Sequence, residues 1–111
     1  MAFSKQELFS KEFQLSAELF KALAHPARLA ILKYLAETKT CITGDIAEEL
    51  PLGRSTVNQH LKELKEAGLI TGTIEGVKTC YCLNPSRIKE LKQISGKFIT
   101  SICISENLNC Q

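Results

Sequence analysis

The chain has few of the features that would place it in several common classes of protein. No apolar run approaches the roughly 20 residues that cross a bilayer as a helix, which excludes a transmembrane segment. The first residues, Met1 to Glu7, carry charges and no hydrophobic block, so no secretory signal is read and the expected compartment is the cytoplasm, with no membrane partner. The net charge is only +2, from 14 basic and 12 acidic residues, which excludes a polybasic arm. Any claim of nucleic-acid binding must therefore rest on pattern. With 2 histidines, no Cys–His spacing of catalytic type and no glycine-rich phosphate loop, the sequence argues against an enzyme. It contains no internal repeat, low-complexity tract or interdomain linker.

What is present is an ordinary globular composition. The 111 residues are 44% hydrophobic and 23% charged, enough for one core and too short for two. Five cysteines occur, at 41, 80, 82, 103 and 110. Their odd number and a reducing compartment argue against a disulfide framework. That leaves small packing residues or soft-metal and redox groups.

Apolar residues at Leu8, Phe9, Phe13, Leu19, Phe20 and Leu23 step as an amphipathic helix from about Ser4 to Ala24. His25-Pro26 interrupts it, and proline suits the first turn of a second helix, with His25 as a boundary residue. Leu29, Leu32, Leu35 and Ala36 are the expected buried stripe of that helix, flanked by Ile31, and it ends near Lys39. Thr40 to Thr43 read as a connector. Thr43 is a candidate N-cap for a short third helix through Leu50, ended by Pro51-Leu52-Gly53. Ser55 is the expected cap of a fourth helix, whose C-terminal glycine is Gly68. From Leu69 the pattern becomes β-branched. Leu69–Ile74, a turn at Glu75–Lys78 and Thr79–Leu83 form a hairpin. A last helix from about Ser86 carries Ile88, Leu91, Ser95, Phe98 and Ile102 at steps of three and four, close to a coiled-coil seam. Glu106 to Gln111 form a polar tail.

Two short helices joined by a tight turn are the helix-turn-helix arrangement, in which the first props the second into the DNA major groove. If Val57, Leu61 and Leu64 face inward, Ser55, Thr56, Asn58, Gln59 and Lys62 remain outside. Hydroxyls and a helix N-terminus suit phosphate oxygens, and Asn and Gln amides pair with adenine edges. His60 stands at the core edge, open to packing or to DNA contact. Arg28 is open to a phosphate or to an acidic neighbour such as Asp45. The hairpin that follows, with Lys78 near its tip, gives the order of a winged helix. The bland alternative is that these polar groups only solvate a surface. An interaction module without DNA binding would also fit the near-neutral charge.

Over Phe20 to Leu83 the sequence resembles the ArsR/SmtB family of bacterial transcriptional regulators. The resemblance is carried by KALAHPARLAILKYL, GDIAEELPLGRSTVNQHLKELKEAGLI and a wing ending in TCYCLNP. It implies a homodimer joined by the first and last helices, which binds double-stranded operator DNA as a repressor and leaves it when an inducer binds. The expected architecture is a mainly α winged helix-turn-helix of about five helices with a two-stranded β-wing, in one domain over 4–105. The helix-turn-helix falls at about 43–67, the wing at 69–83, and the dimerisation helices at 4–24 and 86–105.

Two metal sites recur in relatives of this kind. One needs a Cys-x-Cys-like segment before the helix-turn-helix; here Cys41 is present but Thr43 stands in place of a second thiol. The other needs histidines in the last helix, and no histidine follows His60. Cys80 and Cys82, two apart on a strand, share one face with Tyr81 opposite. Trivalent arsenic or antimony needs three sulfurs, so Cys80, Cys82 and a third thiol, with Cys41 next in line, are the candidate ligands of a thiophilic inducer. No cofactor is expected to be needed for folding. The alternatives are a thiol redox sensor and a family member without a metal site, in which these cysteines only pack.

Overall fold

The computed structural model describes residues 8–38, 42–43, 51–75 and 78–104. Helix α1 spans Lys11–Leu23 and helix α2 Pro26–Thr38. Strand β1 is Ile42–Thr43, and α3 is Arg54–Glu66. Strands β2 (Ile70–Glu75) and β3 (Lys78–Leu83) form the hairpin, and α4 runs Pro85–Ile102. The expected third helix falls on 44–50, outside the described residues, as do Asp45 and the tail 106–111. Described residues thus hold four helices, and the winged helix-turn-helix reading stands.

Local chemistry sets most boundaries. Helix α1 begins later than the Ser4 expected, because the Ser10 hydroxyl accepts the Phe13 N–H at 3.1 Å and caps it. Such a cap is worth about 1 kcal/mol. His25 closes the junction before Pro26, its Nδ1 accepting the Ala27 N–H at 3.0 Å. Helix α3 is preceded by Gly53 as N-cap, with no side-chain capping bond, rather than by Ser55. Ser55 instead lies inside the first turn with its side chain exposed. At the far end Gly68 takes a positive φ of 81°. The Gly68 N–H reaches the Lys65 carbonyl at 2.9 Å and the Leu69 N–H reaches Leu64 at 3.1 Å, the paired bonds of a Schellman stop. Asn84 then ties the end of α3 to the start of α4. Its Nδ2 donates to the Gly68 carbonyl and its backbone N–H to Leu69, both at 2.9 Å.

The core is one cluster: Leu19 and Ala22 of α1, Ile31 and Leu35 of α2, Val57, Leu61 and Leu64 of α3, then Leu69 and Ile70. Each fully buried Leu, Ile or Val contributes about 1.5–3 kcal/mol of apolar transfer. Val57, Leu61 and Leu64 face inward as expected. The buried stripe of α2 is instead Ala27, Ile31 and Leu35, and Leu29 is 51% exposed. The helix is apolar on more than one face, so leucine positions alone do not fix which face turns in.

The sheet has three strands in the order β1-β3-β2, all antiparallel. The wing turn is tighter than expected, since Glu75 already pairs with Lys78. Strand β1, read from sequence as a connector, pairs Ile42 with Tyr81 and Thr43 with Cys80. Tyr81 packs on the core and sits over Gly72 of β2. In α4, Ile88, Leu91 and Ile94 lean on the core and Phe98 meets Phe20 at a ring distance of 6.0 Å. Lys97 of α4 pairs with Glu12 of α1 at 2.9 Å. The expected seam is thus spent partly within the chain, while Ile99 and Ile102 stay exposed.

Candidate nucleic-acid interface and wing thiols

Burial of Val57, Leu61 and Leu64 fixes the rotation of α3. On the opposite side Ser55, Thr56, Asn58, Gln59 and Lys62 are all exposed, five of the expected DNA-facing residues on one helix. Ser55 and Thr56 lie in the first turn, where free N–H groups and the helix dipole favour a phosphate. The Gln59 amide donates to Glu63 at 3.1 Å within the helix, a bond that a base edge would have to replace. Lys78 opens β3 at the tip of the wing, opposite Glu75.

His60 departs from the rest. It is 7% exposed, on the core flank three residues after Val57, and is not placed to reach DNA. Arg28 donates from Nε to His60 Nδ1 at 3.1 Å, and its Nη1 reaches the carbonyls of Lys21 and Ala22 at 3.3 and 3.5 Å. The His25 ring lies 4.2 Å from that of His60. Because His60 Nδ1 accepts a bond, the neutral ring carries its proton on Nε2. Among the described residues that Nε2 has no partner. Burial holds the imidazole below its ordinary pKa, His25 and Arg28 add to the effect, and Glu63 opposes it. Arg28 thus fastens the ends of α1 and α2 to the middle of α3. This clasp was missed in the sequence, although Val57, His60, Leu61 and Leu64 fall on one helical stripe, which could have placed His60 inside.

On β3 the alternation holds. Tyr81 faces the core while Cys80 and Cys82, both half-buried, share the other face, where Cys80 is paired with Thr73 and Cys82 with Thr71. Cys80 and Cys103 are free thiols, the latter exposed at the end of α4. Cys82 is engaged in a disulfide, against the expectation that none forms. Cys41 and Cys110 lie outside the described residues. Among the described residues no group of three or more His, Cys, Asp or Glu side chains is placed to hold a metal ion. None of the described helices is long and apolar enough to cross a membrane.

A recognition helix with one polar face, propped from behind and followed by a hairpin wing, defines a winged helix-turn-helix DNA-binding protein. Comparison with known proteins agrees. A helix-turn-helix domain family matches residues 23–73. An HTH-type transcriptional regulator of Methanocaldococcus jannaschii is 37% identical over 73% of this chain and 91% of its own length. The HTH-type transcriptional repressor SmtB of Mycobacterium tuberculosis is 40% identical over 61% of this chain, which spans only half of that protein. Among solved structures, a possible transcriptional regulator for arsenical resistance has a TM-score of 0.61 at 27% identity, covering 78% of this chain and 84% of that one. Mycobacterium tuberculosis Rv0081 has a TM-score of 0.59 at 30% identity, covering 85% and 94%. The chain belongs to the ArsR/SmtB family of helix-turn-helix transcriptional regulators, and these are DNA-binding proteins, not enzymes.

Proposed function

We propose that this regulator is a cytoplasmic, dimeric repressor that binds a two-fold operator and leaves it when a thiol-reactive inducer reaches the wing. The carrying observation is the polar face of α3, where Ser55, Thr56, Asn58, Gln59 and Lys62 stand together in the open. In this reading Asn58 and Gln59 read base edges, Ser55 and Thr56 hold phosphates, and Lys62 and Lys78 add backbone contacts. His60 positions α3 from behind. Exposed Phe9 just before α1 and Phe13 on it, with Ile99 and Ile102 of α4, supply the apolar surface for a second copy.

The inducer is a soft electrophile, with trivalent arsenic or antimony as first choice. Cys80 and Cys82 on one face of β3 support this, Cys82 as the thiol that reduction of its disulfide releases, as does the likeness to a possible regulator for arsenical resistance. Cys41 is the candidate third sulfur. A gel shift on the DNA upstream of its own operon, with and without arsenite, tests the reading. Release by arsenite in the wild type and loss of release in the Cys80→Ser/Cys82→Ser double variant are expected. Full release from the double variant removes the wing thiols from the mechanism. The Cys82 disulfide supports a second reading, in which oxidation of the same thiols is the signal.

A further inference from the structure

The hydrogen bond from Arg28 Nε to His60 Nδ1, 3.1 Å long, ties α2 to the buried side of the recognition helix. The same guanidinium is fixed at its other end, where Nη1 donates to the carbonyls of Lys21 and Ala22 in the last turn of α1, a place that favours a cation. A guanidinium only donates, and it stays charged across the working pH range. The bond therefore exists only while His60 Nδ1 keeps its lone pair. A proton on Nδ1 sets donor against donor and puts two cations side by side. Among the described residues His60 Nε2 has no acceptor to compensate, and the neighbouring His25 ring, 4.2 Å away, has its own Nδ1 taken up by the Ala27 N–H. The charged groups that act on the ring are His25 at the α1–α2 junction, Arg28 of α2 and Glu63 of α3. Glu18 and Lys21 of α1 and Glu66 of α3 line the same cleft as Arg28 and Glu63. Of the three that act on the ring, Glu63 alone favours the proton, and Glu63 already accepts the Gln59 amide at 3.1 Å.

We propose that Arg28 and His60 are positioning residues for operator binding, and that a proton taken up by His60 opens their clasp and moves the operator-reading face of α3 out of its DNA-competent setting. The proposal rests on the operator-binding reading above. His60 directly follows Asn58 and Gln59 in the chain and is buried on the same helix flank as Val57 and Leu61. A ring seated there reaches water only if its side chain or the helix moves, so the charged ring and the seated conformation oppose each other. The opened state binds the proton more tightly, and acid therefore favours it. Burial holds the seated imidazole below its ordinary value, so the clasp is closed at neutral pH and gives way as pH falls below about 6.5. A charged ring drawn towards Glu63 also competes with the Gln59 amide for one carboxylate, which carries the change to a base-reading residue. The sign of the effect is diagnostic. Added positive charge by itself strengthens binding to any duplex. Opening the clasp weakens binding to the operator, because base reading needs α3 in one fixed setting and phosphate attraction does not.

The test uses the full-length reduced protein at constant ionic strength, from about pH 8 to about pH 5.5. Anisotropy titrations are run on the bipartite duplex upstream of its operon and on a scrambled duplex. Wild-type affinity for the bipartite duplex should fall with acid by about fivefold or more, the lower end of ordinary allosteric coupling, while affinity for the scrambled duplex holds or rises. In His60→Asn the carboxamide oxygen accepts from Arg28 without titrating, so the acid-induced fall should vanish whatever the affinity at neutral pH. Arg28→Ala should bind the bipartite duplex weakly throughout, with a flat profile, and His25→Asn should keep the fall. Nitrogen NMR of the histidine rings and the Arg28 Nε–H, without DNA, should show His60 as the Nε2–H tautomer at neutral pH and the Arg28 signal moving with the His60 titration. Operator binding that strengthens or stays level in acid would overturn the proposal, and so would a full acid-induced fall in His60→Asn. If neither duplex is preferred at any pH while Arg28 and His60 titrate together, the operator-binding reading fails, and the DNA half of this proposal with it. An Arg28 signal that stays still as His60 takes its proton shows instead that the clasp itself is wrong.

Discussion

Gly72→Ala is a sharp test of how the wing is seated. A Cβ placed there meets the Tyr81 ring at Cδ1 and, at 2.6 Å, at Cε1, and it lies 3.0 Å from the Cys80 carbonyl oxygen. Both neighbours belong to the paired strand, so the ring must swing or the ladder must shift. Overpacking of this kind costs about 1–3 kcal/mol. Relief of the glycine's chain entropy returns roughly 0.5–1 kcal/mol. Tyr81 is half-buried and has room to give, so the expected net loss is about 1–2 kcal/mol. At about 4–8 °C per kcal/mol for a domain of this size, the melting temperature should fall by ~5–10 °C. The assay is urea unfolding of reduced protein at fixed concentration, since a dimer's stability depends on concentration. Tyr81→Ala removes the clashing ring, so the double variant should be more stable than the sum of the single losses by about 1–2 kcal/mol. Additivity within about 0.5 kcal/mol would show that the ring and the glycine do not interact, and the account of the wing would be wrong.

Other expectations follow from the same geometry. His60 has a folded pKa below its ordinary value, so its contribution is present above the unfolded value near 6.5 and is lost as pH falls through the folded one. Stability should therefore drop more steeply below about pH 6.5 in the wild type than in His60→Gln, and identical pH profiles of the melting temperature would remove His60 from the clasp. Gln59→Ala should cost about 1–3 kcal/mol on operator DNA and little on random DNA, while Lys78→Ala should weaken both alike, as anisotropy titrations on the two duplexes would show. Ile99→Asp puts a carboxylate on an exposed apolar surface and should give a folded monomer by sedimentation. Phe98→Asp should also loosen α1 from α4, because Phe98 packs on Phe20.

Much of this was readable in the chain, and the misses have physical causes. Helix α3 was legible because its apolar residues fall on one stripe and Gly68 marks its end. The wing was legible because a β-branched run reverses around Glu75–Lys78. Strand β1 was not, because two residues carry no periodicity and their pairing partner lies far along the sequence. The inward face of α2 was misjudged, because leucines on both sides leave the phase open until α1 and α3 pack against it. Of the site residues, the exposed row on α3 followed from burying Val57, Leu61 and Leu64. The Arg28–His60 clasp did not, since it needs the ends of α1 and α2 placed against α3. The Cys82 disulfide ran against an argument from compartment, which odd cysteine count and composition could not overrule.

The central claim is that the exposed face of α3 reads a two-fold DNA site. The most direct measurement is fluorescence anisotropy of reduced protein on three duplexes at several salt concentrations: the bipartite site upstream of its operon, one half-site, and a scrambled sequence. The account predicts tightest binding to the bipartite site, with half-sites about one helical turn apart, and affinity falling linearly on a log–log plot against salt. Preference over the scrambled duplex should reach about 10³-fold or more. Equal affinity for all three duplexes would contradict the reading of α3 as a recognition helix.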